Sequence, residues 1–441
     1  MNTDAGHQAA RTLAAHGVGT LFTLNGGHLW PLYYGTRGVG IRLVDTRHEQ
    51  TAGFAAEGWA KVTRRVGAAA LTAGPGVTNG VSALTTAHLN GSPVVVVGGR
   101  APQGRWGVGS LQELDHVPIV ASITKRATTA RSADAVAAEV DAALTAARTP
   151  HRGPTFVDVP LDAWGPTERP LPAAPPVGTV AGREPDPDAV ARVARLVAEA
   201  RRPVLFLGGD VYWAGADAAS DHAGRGERDS WVGSLRDEER ARRAADEPRL
   251  HAETTPIDPV RVYGELAARL DRDAVVVGDG GDFVSYAGRY VDTFTPGCFL
   301  GPGPYGCLGV GMGYALAAAL AHPDRQVVAL FGDGALGFTL GDLDTLARHH
   351  VSVTAIVGNN GIWGLEKHPM QALFGYDVVA ELSPGIRYDQ VVTALGGSGE
   401  LVTEAREVGP ALDRAFSTPG VSLVNVLTDP ADAYPRSSNL A

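Results

Sequence analysis

Two short polar clusters follow apolar runs of strand length. Gly332-Asp333-Gly334 comes after Val327 to Phe331, and Asn359-Asn360-Gly361 after Val353 to Val357. Twenty-four residues separate Gly334 from Asn359. One carboxylate, amide oxygens and free backbone amides are the donors of a hard cation such as Mg²⁺, which also keeps its ligand's phosphate oxygens. In the other half, Glu49 stands in Thr46-Arg47-His48-Glu49-Gln50, behind the short run Ile41 to Val44. An acid in a helix's first turn is favoured by the helix dipole alone. Gly26-Gly27 and Gly74-Pro75-Gly76 are loop tips at strand ends, and His28 and His116 are candidate acid/base groups.

The elements that must position these residues follow one rhythm. Asp342 to His350 reads as a helix, with Leu343, Leu346 and Ala347 at helical spacing. The order is strand, Gly-Asp-Gly turn, helix, strand, Asn-Asn. A parallel sheet puts both polar turns at its C-terminal edge, where open α/β sheets bind ligands. Without that chemistry the stretch is a βαβ crossover with an acidic turn and an Asn-Gly turn. Residues 1–165 alternate strand and helix, including one helix from Val77 to Leu89, and the alternation returns over 256–441. Both ends are therefore expected to be α/β domains with a parallel sheet and helices on both faces. Between them, 166–187 is a Pro-rich linker, Asp188 to Ala200 a helix, Pro203 to Leu207 a strand, and Ser234 to Asp246 a solvated helix. One strand and two helices bury too little to form a middle domain, so 166–255 is read as a linker and remnant.

Composition narrows the class. The chain has 441 residues, 44% hydrophobic and 20% charged, a globular mix. A net charge of -10 without a basic stripe argues against a nucleic-acid partner. Two cysteines, Cys298 and Cys307, are too few for a disulfide framework or a zinc site. No targeting segment and no bilayer-length apolar run is seen, so the expected location is the cytoplasm, with no membrane partner.

The Gly-Asp-Gly…Asn-Asn stretch resembles the thiamin-diphosphate signature. The segments LFTLNGGHLWPLYYG, RLVDTRHEQTAGFAAEGWAKVT and LTAGPGVTNGVSAL look like the acetolactate synthase group and equally like the 2-hydroxyacyl-CoA lyases. The resemblance covers about 1–165, as a pyrimidine-binding domain, and 256–441, as a diphosphate-binding domain. It implies thiamin diphosphate and Mg²⁺, with the metal on Asp333, the Asn360 side chain and the Ile362 carbonyl. It implies that Glu49 hydrogen-bonds N1′ of the aminopyrimidine and promotes its imino tautomer. Gln112 falls where the family has a glutamine facing the reacting centre, and His28 is a further catalytic candidate. Gly26, Pro75 and Asn79 fall beside the pyrimidine. Gly281, Asp282, Gly334 and Ala335 fall at the diphosphate. Gly306 offers a carbonyl to the 4′-amino group, and Leu308 is the apolar residue under the bent cofactor.

Two departures qualify what the resemblance implies. Acetolactate synthases carry Pro-Lys-Asp near the end of the first domain, and here the triplet is Pro160-Leu161-Asp162. The family's middle domain, which holds FAD or a nucleotide moiety, is much longer, so neither FAD nor a regulatory nucleotide is expected. The reading is a C–C lyase/carboligase for a small 2-oxo acid such as pyruvate. The alternatives are a 2-hydroxyacyl-CoA lyase with aldehyde or acyl substrates and a non-catalytic cofactor-binding relic. A nicotinamide dehydrogenase is weaker, because Gly278-x-Gly280 lacks the third glycine of that fingerprint. In relatives the two domains pair across subunits, which implies a homodimer or homotetramer.

Overall fold

The structure is a computed structural model and describes residues 4–167, 184–216 and 229–435. In the first sheet β1 (Thr20–Thr23), β2 (Arg42–Asp45), β3 (Gly67–Leu71), β4 (Val94–Arg100), β5 (Arg126–Thr129) and β6 (Thr155–Pro160) lie in the order β2-β1-β3-β4-β6-β5. In the second, β7 (Val275–Asp279), β8 (Phe299–Leu300), β9 (Val327–Gly332), β10 (Val353–Asn359), β11 (Ser398–Val402) and β12 (Val421–Leu427) lie in the order β11-β12-β10-β9-β7-β8. Read from its other edge, the second order is the first with every number raised by six. All strand pairs in both sheets are parallel. The expected α/β class and both parallel sheets are present.

The two-residue period of a strand sorts its side chains between layers. In β3, Ala68 and Ala70 join the outer core with Ala5 and Leu13, whereas Ala69 and Leu71 join a central core with Phe54 and Tyr314. In β9, Val328 and Leu330 face an outer core around Tyr263, whereas Val327, Ala329 and Phe331 face the same central core. That central core is continuous across both sheets. Its middle is the contact between the helices Glu49–Thr63 and Gly311–Ala321. A Cβ on Gly313 would lie 2.7 Å from Phe54 Cβ and 2.9 Å from the Thr51 carbonyl, so only glycine permits this approach. Fully buried Glu57 accepts bonds there from Tyr314 Oη (2.7 Å), Asn90 Nδ2 (2.9 Å) and Ser92 Oγ (3.0 Å), and pairs with Lys61 (3.2 Å). A buried carboxylate with this many partners is the tolerable kind.

Several expected elements differ. Pro203 to Leu207 is not a strand: the run lies outside both sheets, and Phe206 is 95% exposed. Without a neighbouring strand its backbone gains no ladder hydrogen bonds. The helix expected over Val77 to Leu89 is two helices, Pro75–Asn79 and Val81–Leu89, meeting at Gly80. Gly332-Asp333-Gly334 is not a free turn, because Asp333 is the first residue of the helix Asp333–Thr339. The solvated helix expected over Ser234 to Asp246 is longer, Asp229–Leu250, and has no buried residue. Most of the Pro-rich linker lies outside the described residues.

Candidate active site

The C-terminal edges of β7, β9 and β10 are neighbours and build one end of the site. Gly280 follows β7 in a left-handed conformation (φ 156°), and a Cβ there would lie 2.7 Å from the Gly332 amide nitrogen, so the two strand ends close up on glycine. Asp333, 3% exposed, follows β9. Its Oδ2 accepts from the Gly361 amide (2.8 Å) and its Oδ1 from the Gly334 amide (3.1 Å). Burial raises its pKa to about 6, against the pull of those amides. The two asparagines after β10 divide their work. Asn359 is an anchor, donating to Ile386 O (2.9 Å) and Asn425 Oδ1 (3.0 Å). Asn360 lines the cavity, its Oδ1 accepting from the Ile362 amide (3.2 Å).

Eight of the nine expected residues of this half line one cavity: Gly281, Asp282, Leu308, Asp333, Gly334, Ala335, Asn360 and Ile362. Gly306 does not line it and adopts φ 67° just before Cys307. Trp363 and Glu366 also line it, and the sequence reading missed them. Among the described residues no lysine or arginine lines this cavity, whereas Asp282, Asp333 and Glu366 do. Among the described residues, no group of three or more His, Cys, Asp or Glu is arranged to hold a metal by itself. One carboxylate, one amide and one backbone carbonyl instead suit a cation that completes its shell with phosphate oxygens. The loop carrying Leu308 is fixed by Asp279, which accepts from Gly309 (3.1 Å) and Gly311 (2.7 Å) amides. Its complete burial raises its pKa to about 7.

The other half gathers at the C-terminal ends of β1, β3 and β4. Glu49, 8% exposed, begins its helix and accepts from Asn79 Nδ2 at 3.0 Å. Its Oε1 lies 3.6 Å from where a Cβ on Gly76 would stand. A Cβ on Gly26 would collide with Thr72 at 2.2 Å, and Thr72 Oγ1 is 3.4 Å from His28 Nδ1. Burial, with His116 second, lowers the pKa of His28. Gln112 is held at φ 61°, a conformation costly for a non-glycine residue, against Gly74. Pro75 opens the short helix that ends at Asn79. Glu49, Asn79, Pro75, Gln112, His28 and Gly26 are thus brought together around the loop 72–76.

His116 takes a different place from the one expected. It is fully buried, and its Nε2 accepts from the Gly74 amide at 2.9 Å. Its other nitrogen therefore carries the proton towards Asp158 Oδ2 at 3.0 Å. Arg100 closes the chain, 3.0 Å from Asp158 and 2.9 Å from Asp115. His116 is a positioning residue for the Gly-Pro-Gly loop. Asp158 and Arg100, charges within apolar strands, were the signal the sequence reading passed over. A second missed residue is Asp342, which accepts from the Arg47 amide (2.7 Å) and Thr51 Oγ1 (2.6 Å) and so ties the start of the Glu49 helix to the other domain. A Cβ on Gly309 would lie 3.0 Å from Gln50 Nε2. Glu49 itself does not line the cavity of its own chain's second domain.

Residues 3–119 match the thiamine pyrophosphate enzyme N-terminal TPP-binding domain, and residues 279–426 match the C-terminal TPP-binding domain. This chain belongs to the thiamine pyrophosphate enzymes. It is 47% identical to an acetolactate synthase large subunit of Mycobacterium tuberculosis, over 99% of this chain and 98% of the relative. That alignment spans 543 positions against 441 residues here, so at least 102 positions of the relative lack a counterpart. It is 28% identical to 2-hydroxyacyl-CoA lyase 2 of Homo sapiens, over 91% of this chain and 85% of that one. The thiamine diphosphate-dependent 4-hydroxybenzoylformate decarboxylase of Rhodococcus jostii RHA1 shares the fold, with a TM-score of 0.82 at 20% identity over 97% of this chain and 99% of that one. The shortened middle accords with the length difference. Among the described residues no helix is long and apolar enough to cross a membrane.

Proposed function

We propose that this thiamine-pyrophosphate-dependent enzyme is a Mg²⁺-requiring C–C lyase/carboligase of the acetolactate synthase type, acting on a small 2-oxo acid such as pyruvate. The observation that carries the proposal is the convergence of Asp333, Asn360 and Ile362 in one acidic cavity that has no cationic side chain. In this reading they hold Mg²⁺ and, through it, the diphosphate, with Gly281, Asp282, Gly334 and Ala335 around the phosphate oxygens. When bound, the cofactor supplies a carbanion and an electron sink next to the substrate carbonyl. Glu49 holds a proton at the pyrimidine N1′, and the Asn79 amide orients it. Gly26 and Pro75 flank the pyrimidine, Gly306 offers its carbonyl, and Leu308 fills the space beneath. Gln112 and His28 face the substrate. FAD plays no part, since the segment that carries it in relatives is the one cut short here.

The test is carbon dioxide release across a series of 2-oxo acids with thiamin diphosphate and Mg²⁺. Pyruvate turnover with acetolactate formation supports the proposal. Aldehyde release from a 2-hydroxyacyl-CoA without 2-oxo acid turnover would assign the lyase chemistry named by the second group of relatives. Binding of the cofactor with neither activity would identify a non-catalytic relic. The protein is further proposed to be a cytoplasmic homodimer or homotetramer, with Glu49 of one copy completing the cavity of another. The absence of Glu49 from the lining of its own chain's cavity supports this.

A further inference from the structure

At the opposite, N-terminal edge of the first sheet lies a cavity of about 420 Å³. Arg64, Arg65, Arg148 and Arg152 line it together with His16, and among the described residues no carboxylate does. Val66 and Pro93, just ahead of β3 and β4, form its floor. Most described arginines of the second domain sit in ion pairs, such as Arg387 with Asp389 (2.6 Å) and Arg269 with Asp413 (2.8 Å). Among the described residues, Arg65, Arg148 and Arg152 have no carboxylate within ion-pair distance. Two acids stand nearby, and both are occupied. Asp141 binds His16 Nε2 at 2.7 Å, and Asp210 binds His151 at 3.0 Å.

Further observations point to a ligand. The His16 side chain is 4% exposed, and its Nδ1 is buried without a hydrogen-bond partner. An unmade bond at a buried nitrogen is a cost that a ligand can relieve: with Nε2 on Asp141, the neutral ring accepts there from a hydroxyl or water, and the imidazolium donates to an anion. Burial and then the neighbouring charge of Arg148 lower the pKa of Arg152, against a smaller opposing pull from Asp210. The arginines are also pre-positioned. Arg64 is held at φ 57° and lies over the Tyr212 ring at 4.1 Å, while Arg152 lies 5.8 Å from the Trp213 ring. Tyr212 and Trp213 belong to the remnant helix Gly209–Trp213, which backs two of the arginines without itself lining the cavity. Crowded like charges on a rigid frame are unfavourable alone and favourable around an anion.

We propose that this cavity is a second binding site, for a ligand bearing phosphate groups. Guanidinium forks match phosphate oxygens two at a time, and several converging forks distinguish a diphosphate from a single small anion. The site is independent of the chemistry at the C-terminal edges and lies outside the two domains' cofactor residues.

The test is isothermal titration calorimetry on protein already saturated with thiamin diphosphate and Mg²⁺, using inorganic pyrophosphate in one arm and ADP in the other, with matched Mg²⁺. The expected result is saturable one-to-one binding that weakens as salt rises. Affinity should fall at least tenfold in Arg148→Gln and, separately, in Arg65→Gln, with melting temperature and carbon dioxide release unchanged. Equal affinity for both probes means that the phosphates alone are read, and tighter binding of ADP adds a contact to the nucleoside. Either outcome supports the site. Absence of saturable heat, or binding that survives both substitutions, would overturn it.

Discussion

Asp333→Asn should make the cofactor-free protein more stable while abolishing cofactor binding. Burial raises the Asp333 pKa from 3.8 to about 6. The shift of roughly 2 units corresponds to about 3 kcal/mol at ~1.36 kcal/mol per unit. The sign follows from linkage: a folded-state pKa above the unfolded one adds stability that is complete below about pH 4 and lost as pH rises through about 6. At pH 8 the ionised carboxylate is therefore a cost to the metal-free fold. Asparagine removes that cost but keeps only one acceptor for the Gly361 and Gly334 amides. The lost bond returns ~1 kcal/mol or somewhat more. The net gain is about 1–2 kcal/mol. An unfolding entropy of ~2.1 cal/mol/K per residue gives about 0.9 kcal/mol/K for the whole chain, so the melting temperature should rise by about 1–2 °C. Scanning calorimetry with chelator at pH 8 and pH 5 reads this, and the difference should shrink to under about 1 kcal/mol at pH 5. Adding Mg²⁺ and thiamin diphosphate at ~100 times Kd should stabilise the wild type by about 2.7 kcal/mol and leave the variant unmoved. A folded variant that melts below the wild type at pH 8 without metal, or gains the same stabilisation from cofactor, would refute the reasoning.

Glu49→Gln should keep cofactor affinity within a few-fold, since the Asn79 contact survives, and lower the rate of carbon dioxide release ~10²–10⁴-fold; near-normal turnover would remove Glu49 from the mechanism. Mixing Glu49→Gln with Asp333→Ala should restore activity if sites are shared between copies, because one site of each mixed dimer is intact. Inactive mixed dimers, confirmed by mass, would place each site within one chain. Asp158→Asn leaves Arg100, 4% exposed, without its buried partner and should cost about 3–5 kcal/mol in denaturant unfolding. A loss under 1 kcal/mol would contradict the buried chain Arg100–Asp158–His116–Gly74.

The parts legible in the sequence were those written in local patterns. β7, β9 and β10 are β-branched or apolar runs that end in glycine, aspartate or asparagine, and most of the residues singled out after them line one cavity. Charges that act across the fold were not legible. Asp342 serves a helix about 290 residues away in sequence, and Arg100 meets Asp158 because β4 and β6 are neighbours. Short elements also escaped: β8 has two residues, and the helix Gly364–Phe374 contains Pro369 against local preference. The run Pro203 to Leu207 failed in the opposite sense. It has strand chemistry, but a strand exists only with a partner.

The core shared between the sheets constrains how the chain is made. The apolar face of Glu49–Thr63 is sealed by Gly311–Ala321. A ribosome adding ~5–20 residues per second needs roughly 10–50 s to travel from the first helix to the second. Throughout that interval Phe54 and its alanine neighbours have no lid, although the first sheet's outer core can already close. The nascent first half is therefore a natural client for a chaperone holding an apolar surface. Its release from that hold waits on synthesis of the second half.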